Sequence, residues 1–405
     1  MYHFQFYADS IKMEPDNKVL PPNLRREWLF SPACCHGDKS NEFTLMNYNI
    51  LADCHFKEDW YPYCPQGFRK MSERHQALLQ EIKHHDPDIV CLQEVGPDYF
   101  VDQLNPEMYS LGYHCVYMKK VRGVMEGEAT FYKKNRFEMT DQKGVVYNEL
   151  AAKACEKANL SNDARESVLS YIERDHLVLF TKLQDIKTKK TVCIGNTHLL
   201  FDDYKNIDVI TVQAGLAINA MIDFAGGVDH AHILCGDFNQ EPHMIGYQLM
   251  HDGKLNTDGE QFIRQYPIKI GNKRKSLLDV LPLCFKHNSV GLKSAYKTVA
   301  GEEIPFSDVD DYLGVEWSDV NKDPAEIIEP PPPKRPRKVF RTDPLKYGEK
   351  KYIAPLDYQW FDSHSLSCYG VLEMVDEREI FPFYACPNKY FSSDHLSVMC
   401  RYKFM

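Results

Sequence analysis

Ser72-Glu-Arg-His-Gln-Ala-Leu-Leu-Gln-Glu-Ile-Lys-His-His-Asp-Pro87, followed directly by Asp88-Ile-Val-Cys-Leu-Gln-Glu-Val95, is the stretch on which the fold turns. In the first part Ala77, Leu78, Leu79 and Ile82 recur at the spacing of one helix face. Ser72 offers an N-cap hydroxyl there, and Pro87 stops the helix. In the second part four apolar residues run together and read as a buried strand with a carboxylate at its end. Working outward, residues 43–51, 127–132, 177–183, 191–199 and 232–238 read as further strands, and residues 207–224 as a helix. Residues 395–404 alternate at period two as a closing strand. Strands alternating with helices imply α/β layers, not an all-α fold.

At 405 residues the chain holds one large domain or two ordinary ones, with a sizeable core in either case. Residues 1–40 read as an amino-terminal arm, an added edge strand or a loose segment, and residues 41–405 as the main domain. That domain is interrupted at residues 308–346, which contain Pro330-Pro-Pro-Pro-Lys-Arg-Pro-Arg-Lys338. A proline run cannot pack into a core, so a projecting insertion is expected. Its basic cluster reads as a solvated loop first, with a nuclear-import signal or a phosphate patch as the alternatives. The formal net charge of -10 excludes a purely electrostatic binder of nucleic acid and requires a local cationic or metal-bearing cleft for any polyphosphate ligand. Thirteen cysteines without a Cys-x-x-Cys pair, after a start with no apolar leader, imply reduced thiols, no structural zinc and a cytoplasmic location. Nuclear entry is expected if residues 334–338 are recognised. The longest apolar stretch, residues 214–228, is interrupted by Asn219 and Asp223, and no membrane partner is expected.

Asn49, Glu94, His198, Asp237, Asn239, Asp394 and His395 sit where strand-like runs end. Glu94 is placed to bind Mg²⁺, although a strand-end Glu in a surface salt bridge looks the same in isolation. Asp237 and Asn239 straddle Phe238, so an extended backbone would put proton acceptor and amide donor on one face. Gly, Asp and Asn fit a turn equally well. Asp237 would deprotonate a water and Asn239 would grip a phosphoryl oxygen. His198 would be a second phosphate ligand. His395 would donate as a cation, oriented and charge-biased by Asp357 if their strands are neighbours.

With these go the motifs Asn47-Tyr-Asn49-Ile-Leu-Ala-Asp53, Tyr61-Pro-Tyr-Cys64, Glu126-Gly-Glu-Ala-Thr-Phe-Tyr132, Asn196-Thr-His-Leu199, Cys235-Gly-Asp-Phe-Asn239, Leu356-Asp-Tyr358 and Ser393-Asp-His-Leu396. Together they resemble the endonuclease/exonuclease/phosphatase superfamily, in the branch of carbon-catabolite-repressor deadenylases, nocturnin, Angel proteins and 2′-phosphodiesterase. The resemblance implies a four-layer α/β sandwich: two mostly antiparallel sheets packed face to face, helices outside, the active site at one rim. It implies Glu94 as the main Mg²⁺ ligand, with Asn49 close by, Asp394 completing the metal side, and Mn²⁺ able to substitute. His198, His395, Asp237, Asn239 and Asp357 take the catalytic roles given above.

The branch mostly cleaves RNA from its 3′ end, so a 3′-5′ exoribonuclease releasing nucleoside 5′-monophosphates from poly(A) or 2′,5′-oligoadenylate is the leading expectation. The deadenylase base sandwich is altered here to Phe201-Asp-Asp-Tyr204 and Lys351-Tyr-Ile-Ala-Pro355, so either Tyr352 substitutes for the aromatic or the stacking is absent. His176 stands where the branch often has Asn, and both residues are expected at the substrate. Leu111-Gly-Tyr-His-Cys115 and Gly253-Lys-Leu-Asn256 are similar to Angel proteins, which keeps a 2′,3′-cyclic phosphatase as the alternative. A catalytically silent adaptor is the alternative of another class.

Overall fold

The computed structural model describes residues 20–32, 39–58, 60–61, 63–202, 205–289, 291–309, 353–380, 383 and 385–405. Tyr352, almost all of the proline-rich insertion and the first nineteen residues lie outside these. The strands are β1 (Trp28–Phe30), β2 (Glu42–Asn49), β3 (Ile89–Gln93), β4 (Tyr113–Lys119), β5 (Gly127–Lys133), β6 (Phe137–Val146), β7 (Leu177–Asp185), β8 (Thr191–His198), β9 (His232–Asp237), β10 (Pro267–Ile270), β11 (Lys273–Ser276), β12 (Leu292–Ser294), β13 (Asp308–Val309), β14 (Ile353–Ala354), β15 (Asp357–Asp362), β16 (Leu366–Leu372) and β17 (Val398–Phe404). One sheet has the order β1-β16-β17-β2-β3-β5-β4 and the other β12-β15-β9-β8-β7-β6.

Period-two alternation decides how these sheets meet. Leu45, Ile89, Cys91, Cys400 and Tyr402 of the first sheet share one buried cluster with Ile194, Ile233, Cys235 and Phe361 of the second. The opposite faces are covered by helices. Met46, Tyr48, Val90 and Leu92 pack under Leu78, Leu79 and Ile82 of helix Met71–His85. Val178, Phe180, Leu234 and Trp360 pack under Ile210, Ala214 and Ile218 of helix Ile207–Ala225. Helix, sheet, sheet, helix is the four-layer α/β sandwich expected.

Two local expectations are corrected, and of the two alternatives for the arm the edge strand is the one seen at Trp28–Phe30. The first helix starts at Met71, and its end is closed by Glu73, whose carboxylate accepts from the backbone N–H of Lys70 at 3.1 Å, not by the Ser72 hydroxyl. Part of the expected amino-terminal arm belongs to the domain. β1 pairs with β16, Leu24 is buried, and Arg26 reaches the Ser397 hydroxyl at 2.8 Å and the buried Glu81 at 3.7 Å. Finally, helix Ile207–Ala225 is apolar enough to pass for a membrane span despite Asn219 and Asp223. With 72% of its apolar window buried, it serves as the core helix of the second sheet.

Every neighbouring pair in the two sheets is antiparallel except β2 with β3 and β8 with β9. These two parallel pairs lie inside their sheets, and their carboxy ends emerge at one rim, where Asn49 of β2 hydrogen-bonds Asp237 of β9. β15 begins at the same rim, because it runs antiparallel to β9 with Asp357 opposite Asp237. Topology thus gathers four strand ends and a strand start.

Away from the rim, Asp208 in the first turn of helix Ile207–Ala225 is pushed up from 3.8 to about 7, chiefly by burial. Its Oδ1 takes the Tyr171 hydroxyl at 3.3 Å, while Oδ2 has no hydrogen-bond partner among the described residues. The unfolded chain ionises first. The stabilising effect of the neutral group is therefore full below 3.8, falls as pH rises and is gone above about 7. At roughly 1.4 kcal/mol per unit the loss is at most a few kcal/mol. Asp208→Asn is expected to raise the melting temperature at mildly alkaline pH and to change it little in acid. Equal shifts at both pH values would contradict this.

Candidate active site

The rim is built from backbone positions that only particular residues tolerate. Gly236 has φ +148°, and a Cβ there would lie 1.8 Å from the Thr197 carbonyl oxygen, so no larger residue can precede Asp237. β3 ends at Gln93, and Glu94 turns out of the strand with φ +59°. β9 ends at Asp237, and Asn239 takes φ +48°. Of the two alternatives for Asp237 to Asn239 the turn is the one formed: the Asn239 backbone N–H donates to Asp237 Oδ1 at 2.9 Å, and its side-chain Nδ2 to the Leu199 carbonyl at 2.9 Å.

Asp237 Oδ2 is the centre. Asn49 Nδ2 donates to it at 3.1 Å, His395 Nε2 lies at 3.5 Å and His198 Nε2 at 3.6 Å. Asn49 Nδ2 also donates to Glu94 Oε1 at 3.0 Å, and Glu94 Oε2 accepts the Ala52 backbone N–H at 2.9 Å. His395 Nδ1 meets Asp357 Oδ2 at 2.7 Å, the contact the orienting role requires, although the two residues come from different sheets, Asp357 opening β15 and His395 lying just before β17. Beneath lies a buried layer of carboxamides. Gln93 Nε2 donates to Asn47 at 2.8 Å and to Asn196 at 2.7 Å, and Asn47 Nδ2 donates to Asp357 Oδ1 at 3.1 Å.

The two imidazoles are set in opposite charge states. Burial works against a charged His395, but Asp357 and Asp237 prevail and hold it well above the ordinary histidine range. His198 is pushed well below that range by burial, then by the Lys120 ammonium. Lys120 Nζ stands 3.5 Å from His198 Nδ1, so the lone pair belongs on Nδ1 and the proton on Nε2, facing Asp237. Asp237 itself is pushed up to about 7 by burial, with His395 opposing and Asp357 assisting.

The donor set fits a hard cation at Glu94. Burial raises its carboxyl, His55 opposes this, and the nearby Glu126 and Asp394 carboxylates raise it further, a like-charge crowding that a divalent ion would relieve. Asp394 accepts the Tyr61 hydroxyl at 2.5 Å and the Ser393 hydroxyl at 3.0 Å, and it clusters with Asp308 and His395, whose ligand atoms lie within 4.8 Å of one another. Asn49 lies beside Glu94, its Nδ2 3.0 Å from Oε1. Its Oδ1 takes the Leu51 backbone N–H at 3.1 Å, while its NH₂ bridges the two carboxylates.

His176 stands behind His198, ring to ring at 5.9 Å and nearly perpendicular, at one remove from Asp237. Tyr352 is outside the described residues. Reading strand ends missed Lys120, which is buried and paired with Glu126 at 2.5 Å. It also missed Arg74, whose buried guanidinium donates to the carbonyls of Ile50, Leu51 and Ser392 at 2.8, 2.6 and 2.5 Å and so ties the Asn49 and Asp394 loops together. The motif containing Glu126 was a signal for the first of these; nothing in the helical pattern marked the second.

The sequence profile of the Endonuclease/Exonuclease/phosphatase family matches residues 46–395, and the chain belongs to that family. Among its relatives, the CCR4-Not complex 3′-5′-exoribonuclease subunit Ccr4 of Debaryomyces hansenii is 24% identical over 410 residues, which cover 96% of this chain and 42% of that protein. Protein angel homolog 2 of Bos taurus is 29% identical over 236 residues, 56% of this chain and 40% of that protein. The chain spans about half the length of the curated relatives it matches. The crystal structure of ANGEL2, described as a 2′,3′-cyclic phosphatase, superposes with a TM-score of 0.66 at 22% identity, covering 96% of this chain and 99% of that one. That likeness speaks to the fold.

Proposed function

We propose that the chain is a Mg²⁺-dependent phosphodiesterase that trims RNA from its 3′ end by direct attack of water, releasing nucleoside 5′-monophosphates. The observation that carries this is the convergence of Asn49, His198 and His395 on the single carboxylate of Asp237, with Glu94 one amide away. Family membership and the relation to a named 3′-5′-exoribonuclease subunit support it. Glu94, assisted by Asp394, would hold Mg²⁺, or Mn²⁺ in its place; when bound, the ion supplies charge neutralisation at the phosphoryl oxygens. Asp237 accepts the proton of the attacking water. His395 donates to the developing phosphorane as a cation, and His198 donates as a neutral imidazole through Nε2. Asn239, with one amide hydrogen committed to Leu199, offers the other to a phosphoryl oxygen.

The likeness to protein angel homolog 2 favours a second reading, removal of a 2′,3′-cyclic phosphate. Product analysis separates the two. Linear 3′-hydroxyl oligoadenylate is expected to yield 5′-AMP, with no product in EDTA, and 2′,5′-linked and cyclic-ended RNA serve as competing substrates. Inorganic phosphate from cyclic-ended RNA without mononucleotides would replace the first reading by the second. Turnover that persists in EDTA would overturn the metal dependence of both.

A further inference from the structure

Pro267-Ile-Lys-Ile-Gly-Asn-Lys-Arg-Lys-Ser276 carries four cations and no acid in a chain of net charge -10. It forms the β10–β11 hairpin, which joins neither large sheet, with Gly271 at φ +57° opening the two-residue Gly-Asn turn. A two-stranded hairpin is marginal in water by itself. Here it is held by Ile268, which is buried, and by Ile270 and Tyr266, which pack on the outer core that also contains Leu199 and Leu200, the residues directly after His198. Tyr266, at the foot, lies within electrostatic reach of Asp208 and Asp202, which follow the site-bearing end of β8 in the chain.

Lys269, Lys273, Arg274 and Lys275 are all exposed. The register sets Lys269 directly opposite Arg274, a like-charge pair that destabilises a ribbon unless an anion lies across it. Neutralising acids are already engaged: Glu260 and Asp279, near the foot, both pair with Arg264. None of the four hairpin cations makes an ion pair with a described residue. The register puts Lys273 and Lys275 on the ribbon face of Ile270 and Ile268 and Lys269 with Arg274 on the other, so exposed cations flank the hairpin on both sides; Lys273 and Lys275, two residues apart on an extended strand, stand roughly 6.8 Å from each other, a spacing suited to successive phosphates of an extended single strand.

Resting on the RNA reading above, we infer that this hairpin is a second contact surface for the substrate backbone, engaging phosphates on the 5′ side of the scissile bond. Phosphate contacts of this kind add affinity and length dependence without base choice. They also answer how an acidic protein holds a polyanion.

The test replaces Lys269, Lys273, Arg274 and Lys275 together by Gln and follows binding of long and very short oligoadenylates by fluorescence anisotropy over a range of salt. Binding is measured on protein carrying Asp237→Asn to suppress cleavage, and turnover of the short substrate on otherwise wild-type protein. The expected result is at least ~10-fold weaker binding of the long probe at low salt, with a log–log salt slope shallower by about 2–3, near 0.7 per lost phosphate contact. Short-probe affinity, short-substrate turnover and the melting curve stay within twofold of the parent or unchanged. An unaltered slope would overturn the hairpin's role while leaving the exonuclease reading in place. Hairpin-dependent binding without hydrolysis of any RNA would do the reverse. Loss of short-probe affinity, or loss of binding to anionic vesicles with the RNA slope intact, would also overturn it.

Discussion

Asp237→Asn is expected to give a folded protein whose turnover of oligoadenylate is at least ~10³-fold slower than the parent's. The substitution keeps size and shape, so the buried rim is not opened. What changes is the capacity to accept. In the parent, Oδ1 takes the Asn239 backbone N–H, and Oδ2 faces Asn49 Nδ2 and the Nε2 atoms of both His198 and His395. An asparagine has one oxygen for these four donors, and its NH₂ must face some of them. The acceptor for the water proton and the common point on which both imidazoles are aimed disappear together. Initial rates on 5′-labelled RNA, with a circular-dichroism melt as the control for folding, measure the effect. A variant within tenfold of the parent would remove Asp237 from the centre of the mechanism.

Why some of this was readable and some was not follows from where each residue takes its partners. Glu94, His198 and Asp237 were visible because each terminates a buried apolar run, and His395 because it opens the closing one, where a charged side chain has no reason to stand unless it emerges at an edge. The four-layer sandwich followed from the family motifs, while the alternation of strands and helices established only α/β layers. The order of strands was not readable, because β2 pairs with β17 across most of the chain, Asn47 opposite Val398, and β9 with the distant β15, Asp237 opposite Asp357. It is this non-local order that turns separate strand ends into one rim. Asn239 shows the limit of periodicity, since the two-residue rule applies only while the strand continues and β9 stops at Asp237. Asn49 was placed correctly, but its role depends on which way its amide is spent, and only its neighbours Leu51, Glu94 and Asp237 settle that. Lys120 was missed because the group it acts on, His198, is 78 residues away.

Asp357→Asn is expected to lower turnover by ~10²–10³ and to bring the alkaline fall of the pH–rate profile to lower pH. Burial alone would leave His395 neutral, and it is the Asp357 carboxylate, at 2.7 Å from Nδ1, followed by Asp237, that keeps it charged. The sign is fixed by that balance. A group whose pKa is raised in the fold keeps its proton until pH passes the raised value, so the parent retains an imidazolium donor well into the alkaline range. Removing the Asp357 charge lowers that value, and the donor is lost earlier as pH rises. The acid side is governed by a different group. Asp237, pushed up to about 7 chiefly by burial, becomes a proton acceptor only as pH rises through its pKa, and a cation held at Glu94 would move that limb downward. Because the Asp357 charge also helps to raise Asp237, its removal bears on the acid limb as well, and the alkaline limb is the diagnostic one. Profiles of parent and variant at saturating Mg²⁺ decide the matter: a slower variant with an unmoved alkaline limb would mean that Asp357 merely supports the strand end through Asn47, and that His395 draws its charge from elsewhere.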